Sequence, residues 1–260
     1  MTPRACAAAF TLVAASACAR HRAPGASQTA PIQVAAAADL SFAFREVGAA
    51  YERTSGRHVV FSFGATGLLE KQVAEGAPFD VFAAANVTYA DDAVHAGACL
   101  ADSKTLYATG HLAIYTPPGA ALRPRSLADL ADARYAKIAI ANPDHAPYGR
   151  AARQALRRAG VWEAVRGRVV YGENVQQALQ FAQSGNADAA LVALGLALET
   201  PGDAARIPTE LHDRIDQALV VCRGGKAGAD AGRAFVGFVQ SSEGRAILRR
   251  HGFLLPIDAP

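Results

Sequence analysis

From Ile32 onward, short apolar runs alternate with longer segments of helical period, and this alternation limits the fold to a small set. The segment 32–37 (IQVAAA) reads as a strand. Residues 40–54 follow as a helix with Leu40, Phe44, Val47 and Tyr51 on one face and Gly56 as its stop. Strands at 58–63 and 80–84 are separated by a helix at 68–74, and a further helix at 89–95 ends at Gly97. The second stretch repeats the idea, with strands at 110–115, 137–141, 168–171, 189–193 and 217–222. Its helices fall at 127–130, 148–158, 175–183 (capped by Asn174), 230–240 and 243–251. Repeated β-α-β units imply mostly parallel sheets covered by helices. The expected class is α/β, in two lobes.

The first 30 residues stand apart. An Ala-rich apolar stretch, 5–17, follows Arg4 and precedes Arg20-His21-Arg22; it is too short to span a membrane and fits an export signal. Ala15-Ser16-Ala17-Cys18 is similar to the box before a lipidated cysteine, so a tether through Cys18 and soluble export are both open. Three of the 26 Lys and Arg, and none of the 23 Asp and Glu, precede Pro31, so the remainder is charge-balanced. A nucleic-acid binder needs an excess of cations, so that class is disfavoured. Beyond the leader only Cys99 and Cys222 remain, with no metal-ligand spacing. Two separate buried thiols are the expectation, with pairing in an oxidising compartment as the alternative.

Candidate chemistry gathers at four strand-to-helix junctions: Ala38-Asp39-Leu40-Ser41, Gly64-Ala65-Thr66-Gly67, Ala146-Pro147-Tyr148-Gly149 and Glu173-Asn174-Val175. The first N–H groups of a helix lack internal partners and sit at the positive end of its dipole. Several such ends in one cleft would bind an anion without a cationic side chain. Each junction taken alone is an ordinary turn. The seven histidines form no i, i+4 pair, and there is no GxSxG, Walker loop or dinucleotide fingerprint. His145, in the loop Asn142-Pro143-Asp144-His145, is the one histidine beside a candidate site, and a secreted hydrolase using Asp39 and His145 is the enzyme alternative.

The segment Val34-Ala35-Ala36-Ala37-Ala38-Asp39-Leu40 resembles the first strand and turn of the periplasmic molybdate-binding proteins of ABC importers. So do Phe61-Ser62-Phe63-Gly64-Ala65-Thr66-Gly67-Leu68 and, most specifically, Gln72-Val73-Ala74-Glu75-Gly76-Ala77-Pro78-Phe79-Asp80-Val81-Phe82. The 141–149 and 173–179 segments match that family's other two ligand loops, and the likeness runs over about 32–254.

The resemblance implies a type II two-lobe binding protein, with one lobe at 32–108 plus 217–260 and the other at 109–216. It implies an exported monomer that captures molybdate or tungstate for a membrane permease, in the periplasm or on a lipid tether, with no resident cofactor, no catalytic residue and no directly bound metal. Carried across by position, the ligand residues are Asp39, Thr66, Gly67, Tyr148, Val175 and Ala193. Two depart from the family pattern, in which a serine commonly stands at Asp39 and a tyrosine hydroxyl at Ala193. Losing that hydroxyl costs about 1–3 kcal/mol if nothing replaces it. An ionised Asp39 beside a dianion is repulsive. It is expected to point away and cap the helix through the Ser41 or Phe42 N–H; the alternatives are a carboxylate facing the anion, itself protonated, or accepting a proton from a phosphate-like ligand. A ligand sensor docking on a signalling receptor is a further alternative to the importer.

Overall fold

The computed structural model describes residues 30–256; the leader, Cys18 and most of the linker lie outside them. Two five-stranded sheets form the frame. In the first, β1 (Ile32–Ala37) pairs in parallel with β2 (Val59–Gly64) and β3 (Val81–Ala84). A late strand, β10 (Ile215–Val221), runs antiparallel between β3 and β4 (Thr105–Gly110), giving the order β2-β1-β3-β10-β4. In the second sheet β6 (Ile138–Ala141) lies parallel to β7 (Val169–Gly172) and β8 (Ala189–Ala193). β5 (Leu112–Thr116) joins β8 to the edge strand β9 (Asp203–Arg206), both antiparallel. The chain therefore crosses between sheets twice, from β4 to β5 through His111 and back from β9 to β10. This is the two-lobe type II arrangement.

Helices cover the sheets because the central strands are apolar on both faces: β3, β6 and β8 are buried at every position. In the first sheet's half these are α1 (Ser41–Ser55), α2 (Thr66–Ala74), α3 (Val87–His95), α8 (Ala229–Val239) and α9 (Ser242–Arg250). In the second they are α4 (Pro147–Arg158), α5 (Trp162–Val165), α6 (Val175–Gln183) and α7 (Leu194–Leu198). α1 buries Phe44, Val47 and Tyr51 along one face and stops at Gly56, whose positive φ of 67° lets its N–H reach the Glu52 carbonyl. Phe44 and Tyr51 meet Phe235 of α8 edge to face, at 6.3 and 5.4 Å between ring centres. Each fully buried ring contributes about 1.5–3 kcal/mol of transfer free energy.

The sequence reading needs correction at several places, among them β4 before Gly110 and the short helices α5 and α7, none of which it contained. The expected strand over 110–115 is split at His111, because the chain leaves one sheet at Gly110 and enters the other at Leu112. The edge strand β9 carries no apolar run, since its Asp203 and Arg206 face solvent, and it was not expected. Cys99 and Cys222 are not separate thiols: they lie opposite each other as antiparallel partners and are joined in a disulfide. Their pairing follows from where β10 runs relative to the chain after α3, which no local pattern encodes.

Candidate functional site

The four strand-to-helix junctions converge. A small cavity, of about 10 Å³, is lined by Ala37, Ala38 and Asp39 after β1, and by Gly64, Ala65 and Thr66 between β2 and α2. Ala146, Pro147 and Tyr148 before α4 and Asn174 and Val175 before α6 complete most of the wall. The first two groups come from one sheet and the last two from the other, all at carboxyl ends of parallel strands. No Lys, Arg or His is in this lining.

The cavity is supplied with backbone donors. The Asn174 side chain accepts from the Gln176 and Gln177 N–H groups, which leaves the Val175 N–H, at the first helical position, without a capping acceptor. α4 opens on Pro147, which has no N–H to satisfy, so Tyr148 presents the first amide. Thr66 opens α2, is 1% exposed, and its Oγ1 accepts from the Ala85 N–H at 3.3 Å. Because that oxygen is an acceptor there, the hydroxyl hydrogen is left to donate. Thr66→Ala is expected to lower anion affinity about 5- to 150-fold, equivalent to about 1–3 kcal/mol. It also orphans the Ala85 N–H, so the empty protein should lose about 1 kcal/mol of stability as well. Calorimetric titration and thermal melting of the variant check both; unchanged affinity would remove this hydroxyl from contact with the anion.

Asp39 does not cap α1. No side chain bonds the start of that helix, and the carboxylate, 3% exposed, turns inward. Its Oδ2 accepts from Gln217 Nε2 at 2.5 Å, and the Tyr148 hydroxyl also bonds it. Gln217 in turn accepts from the Tyr107 hydroxyl at 2.6 Å. The cap reading fails because Ala38–Leu40 form a turn of 3-10 helix before α1, so that Leu40, not Asp39, stands at the N-cap of that helix. Burial pushes the Asp39 carboxyl up to about 6, although Gln217, Tyr148 and its own backbone N–H pull the other way. The same burial, with Asp39 close by, holds the hydroxyls of Tyr107 and Tyr148 well above the usual tyrosine range.

Two other expected site residues stand outside the lining. The Gly67 N–H donates to the His145 carbonyl at 2.9 Å, tying α2 to the loop before α4 across the mouth of the cleft. A Cβ there would come within 2.8 Å of the Tyr89 hydroxyl and 3.0 Å of that carbonyl, so a larger residue would have to displace the Tyr89 side chain. Ala193 ends β8 fully buried and offers no side-chain donor. His145 bonds the Glu173 carbonyl through Nε2 at 2.9 Å, within its own lobe, which makes it a clasp between two loops. Arg150 of α4 lies over the Tyr89 ring of α3, 4.9 Å from its centre, and adds a second contact across the mouth. Gln217, Tyr107 and Gly110 went unnoticed in the sequence. Gly110 lies so close beneath the Tyr148 hydroxyl that a Cβ would overlap it.

Two α/β lobes joined by crossing strands, with helix starts from both facing one small cavity, define a solute-binding protein. The chain belongs to the family of bacterial extracellular solute-binding proteins, whose match extends over residues 32–254. It is 32% identical over 232 residues to the molybdate-binding protein ModA of Azotobacter vinelandii, covering 88% of this chain and 91% of that protein. It is 31% identical over 221 residues to ModA of Rhodobacter capsulatus, covering 85% and 86%. Its structure superposes on the periplasmic molybdate-binding protein of A. vinelandii with a TM-score of 0.80 at 28% identity, covering 86% of this chain and 99% of that one.

Proposed function

We propose that this protein captures a tetrahedral oxyanion, molybdate or tungstate, outside the cytoplasm and hands it to the membrane permease of an ABC importer. The observation that carries the reading is the convergence of helix starts from both lobes on one cavity whose lining holds no cationic side chain. Such a site recognises shape and charge through fixed amides and excludes anions too large to be enclosed. The relatives named for molybdate binding support the ligand. Asp39, Thr66, Tyr148 and Val175 are the contacts proposed; Gly67 and Ala193, outside the lining, are not among them. The lobes, 32–108 with 217–260 and 109–216, would close as a hinge about the β4–β5 and β9–β10 crossings, the anion favouring the closed state by bonding both. The disulfide between Cys99 and Cys222 is in keeping with export to an oxidising compartment, either free or tethered through Cys18.

Thermal melting against molybdate, tungstate, sulfate, phosphate and chromate tests the reading. A cognate anion at 100 times its Kd stabilises the fold by about 2.7 kcal/mol. For a chain of this size that is a rise of about 5–10 °C in Tm. Absence of any rise with both molybdate and tungstate at millimolar concentration overturns the assignment.

A further inference from the structure

Asp39 brings to the cavity wall a group with no hydrogen to give when ionised. The groups facing its carboxylate are the Gln217 amide from β10, the Tyr148 hydroxyl from α4 and its own backbone N–H, all neutral. Tyr107 of β4 stands behind them and fixes the amide's orientation: its hydroxyl donates to Gln217 Oε1, so Nε2 must face the carboxylate. A fully ionised tetrahedral oxyanion, like a carboxylate, only accepts hydrogen bonds. Enclosed together, the two share no hydrogen and repel each other strongly at low dielectric. One proton placed between them replaces that repulsion with a charge-assisted O–H···O bond.

We infer that Asp39 makes this a one-proton site: a fully ionised oxyanion such as molybdate binds with uptake of one proton by the Asp39 carboxyl, whereas a monohydrogen oxyanion supplies that proton itself. Gln217 is the positioning residue that holds the carboxylate in place for either case. The inference rests on the oxyanion reading above and adds to it a rule of ligand choice. At neutral pH it disfavours molybdate relative to monohydrogen phosphate or arsenate, and in acid it removes that handicap.

The sign of the pH dependence follows from burial, which brings the Asp39 carboxyl of the empty protein up to about 6. Below that pH the carboxyl already carries its proton, and molybdate binds without taking one up. Above it each binding event consumes a proton, so the molybdate Kd rises about tenfold per pH unit.

Calorimetry of molybdate binding between pH 5 and 8, repeated in buffers of different ionisation enthalpy, counts the protons. In the unmodified protein close to one proton should be taken up at pH 8 and almost none at pH 5. In Asp39→Asn, whose amide stands in for the protonated acid, uptake should vanish, the Kd should become flat, and molybdate should bind at least tenfold more tightly than to the unmodified protein at pH 8. Gln217→Leu removes a donor to the ionised carboxylate, so the rise in Kd should begin at higher pH, a displacement that a purely structural role would not produce. Monohydrogen phosphate, titrated alongside, should bind without proton uptake at Asp39. Molybdate binding with a flat Kd and no uptake in the unmodified protein overturns the inference alone, as does uptake that persists in Asp39→Asn. Failure of molybdate and tungstate to bind at any of these pH values overturns the functional reading itself.

Discussion

Replacing both Cys99 and Cys222 by serine should lower the stability of the fold by about 3–5 kcal/mol and its Tm by roughly 10 °C. The magnitude comes from what the disulfide encloses. The bridge joins residues 123 apart, and the loop it closes contains β4 to β10, hence the whole second sheet and both crossings. Tying the two ends of that excursion together removes much of the unfolded chain's freedom, and for a loop beyond 100 residues this amounts to nearly 5 kcal/mol. Both cysteines are buried, at 3% and 4% exposure, so the serine hydroxyls add a further desolvation cost. Neither residue lines the cavity, so anion affinity should change less than twofold while the variant is folded. Denaturant and thermal melts of the double variant beside the unmodified protein decide the matter. A Tm within 2 °C of the original would show that the bridge constrains the unfolded chain far less than the loop length implies.

That disulfide also marks where the sequence stops being legible. The four helix-start junctions could be read because each is local: a strand end, a turn of small residues, and a cap such as Asn174 lie within a few positions of one another. Their convergence follows from the βαβ rule, which puts every such junction at the same edge of its sheet. The junctions accordingly include Asp39, Thr66, Tyr148 and Val175, which the family resemblance singles out within them. Gln217 is not among them. It lies 178 residues from Asp39 in the chain, at a polar position of a strand otherwise read for its apolar run. Only the antiparallel return of β10 beside β4 brings it, with Tyr107, against the carboxylate. The orientation of Asp39 was misjudged for a related reason: a polar residue just before a helix is ordinarily a cap, and a local rule cannot see a partner supplied by another strand. The edge strand β9 escaped because its residues have no buried face to imprint a period.

Asp80 combines the two cases, and its removal should have an effect as large as loss of the disulfide. It sits in the segment 72–82, the stretch that most resembles the molybdate-binding family, yet it lies outside the cavity lining. Its fully buried carboxylate accepts from the Gln33 N–H of β1 at 2.8 Å through Oδ2. Through Oδ1 it accepts from the Ala227 and Gly228 N–H groups, at 2.9 and 3.1 Å, just before α8. One side chain thus fastens the sheet to the helix that carries Phe235 into the aromatic cluster around Phe44. Gly225 packs so closely on the carboxylate that no side chain could stand there. Asp80→Ala strips acceptors from three N–H groups, each costing about 1–3 kcal/mol when left unpaired; because the three bonds are only partly buried, the loss should lie at the low end of that sum, about 3–5 kcal/mol. Asp80→Asn keeps one acceptor oxygen but turns an NH2 towards an N–H, and should fall between the two. Because the carboxylate acts on the fold and not on the ligand, the anion Kd of folded Asp80→Ala should stay within about twofold of the original. Chemical denaturation and calorimetric titration of the same preparations separate the two effects. A large change in Kd with stability intact would place Asp80 in the service of the site, by way of the start of β1, rather than of the fold.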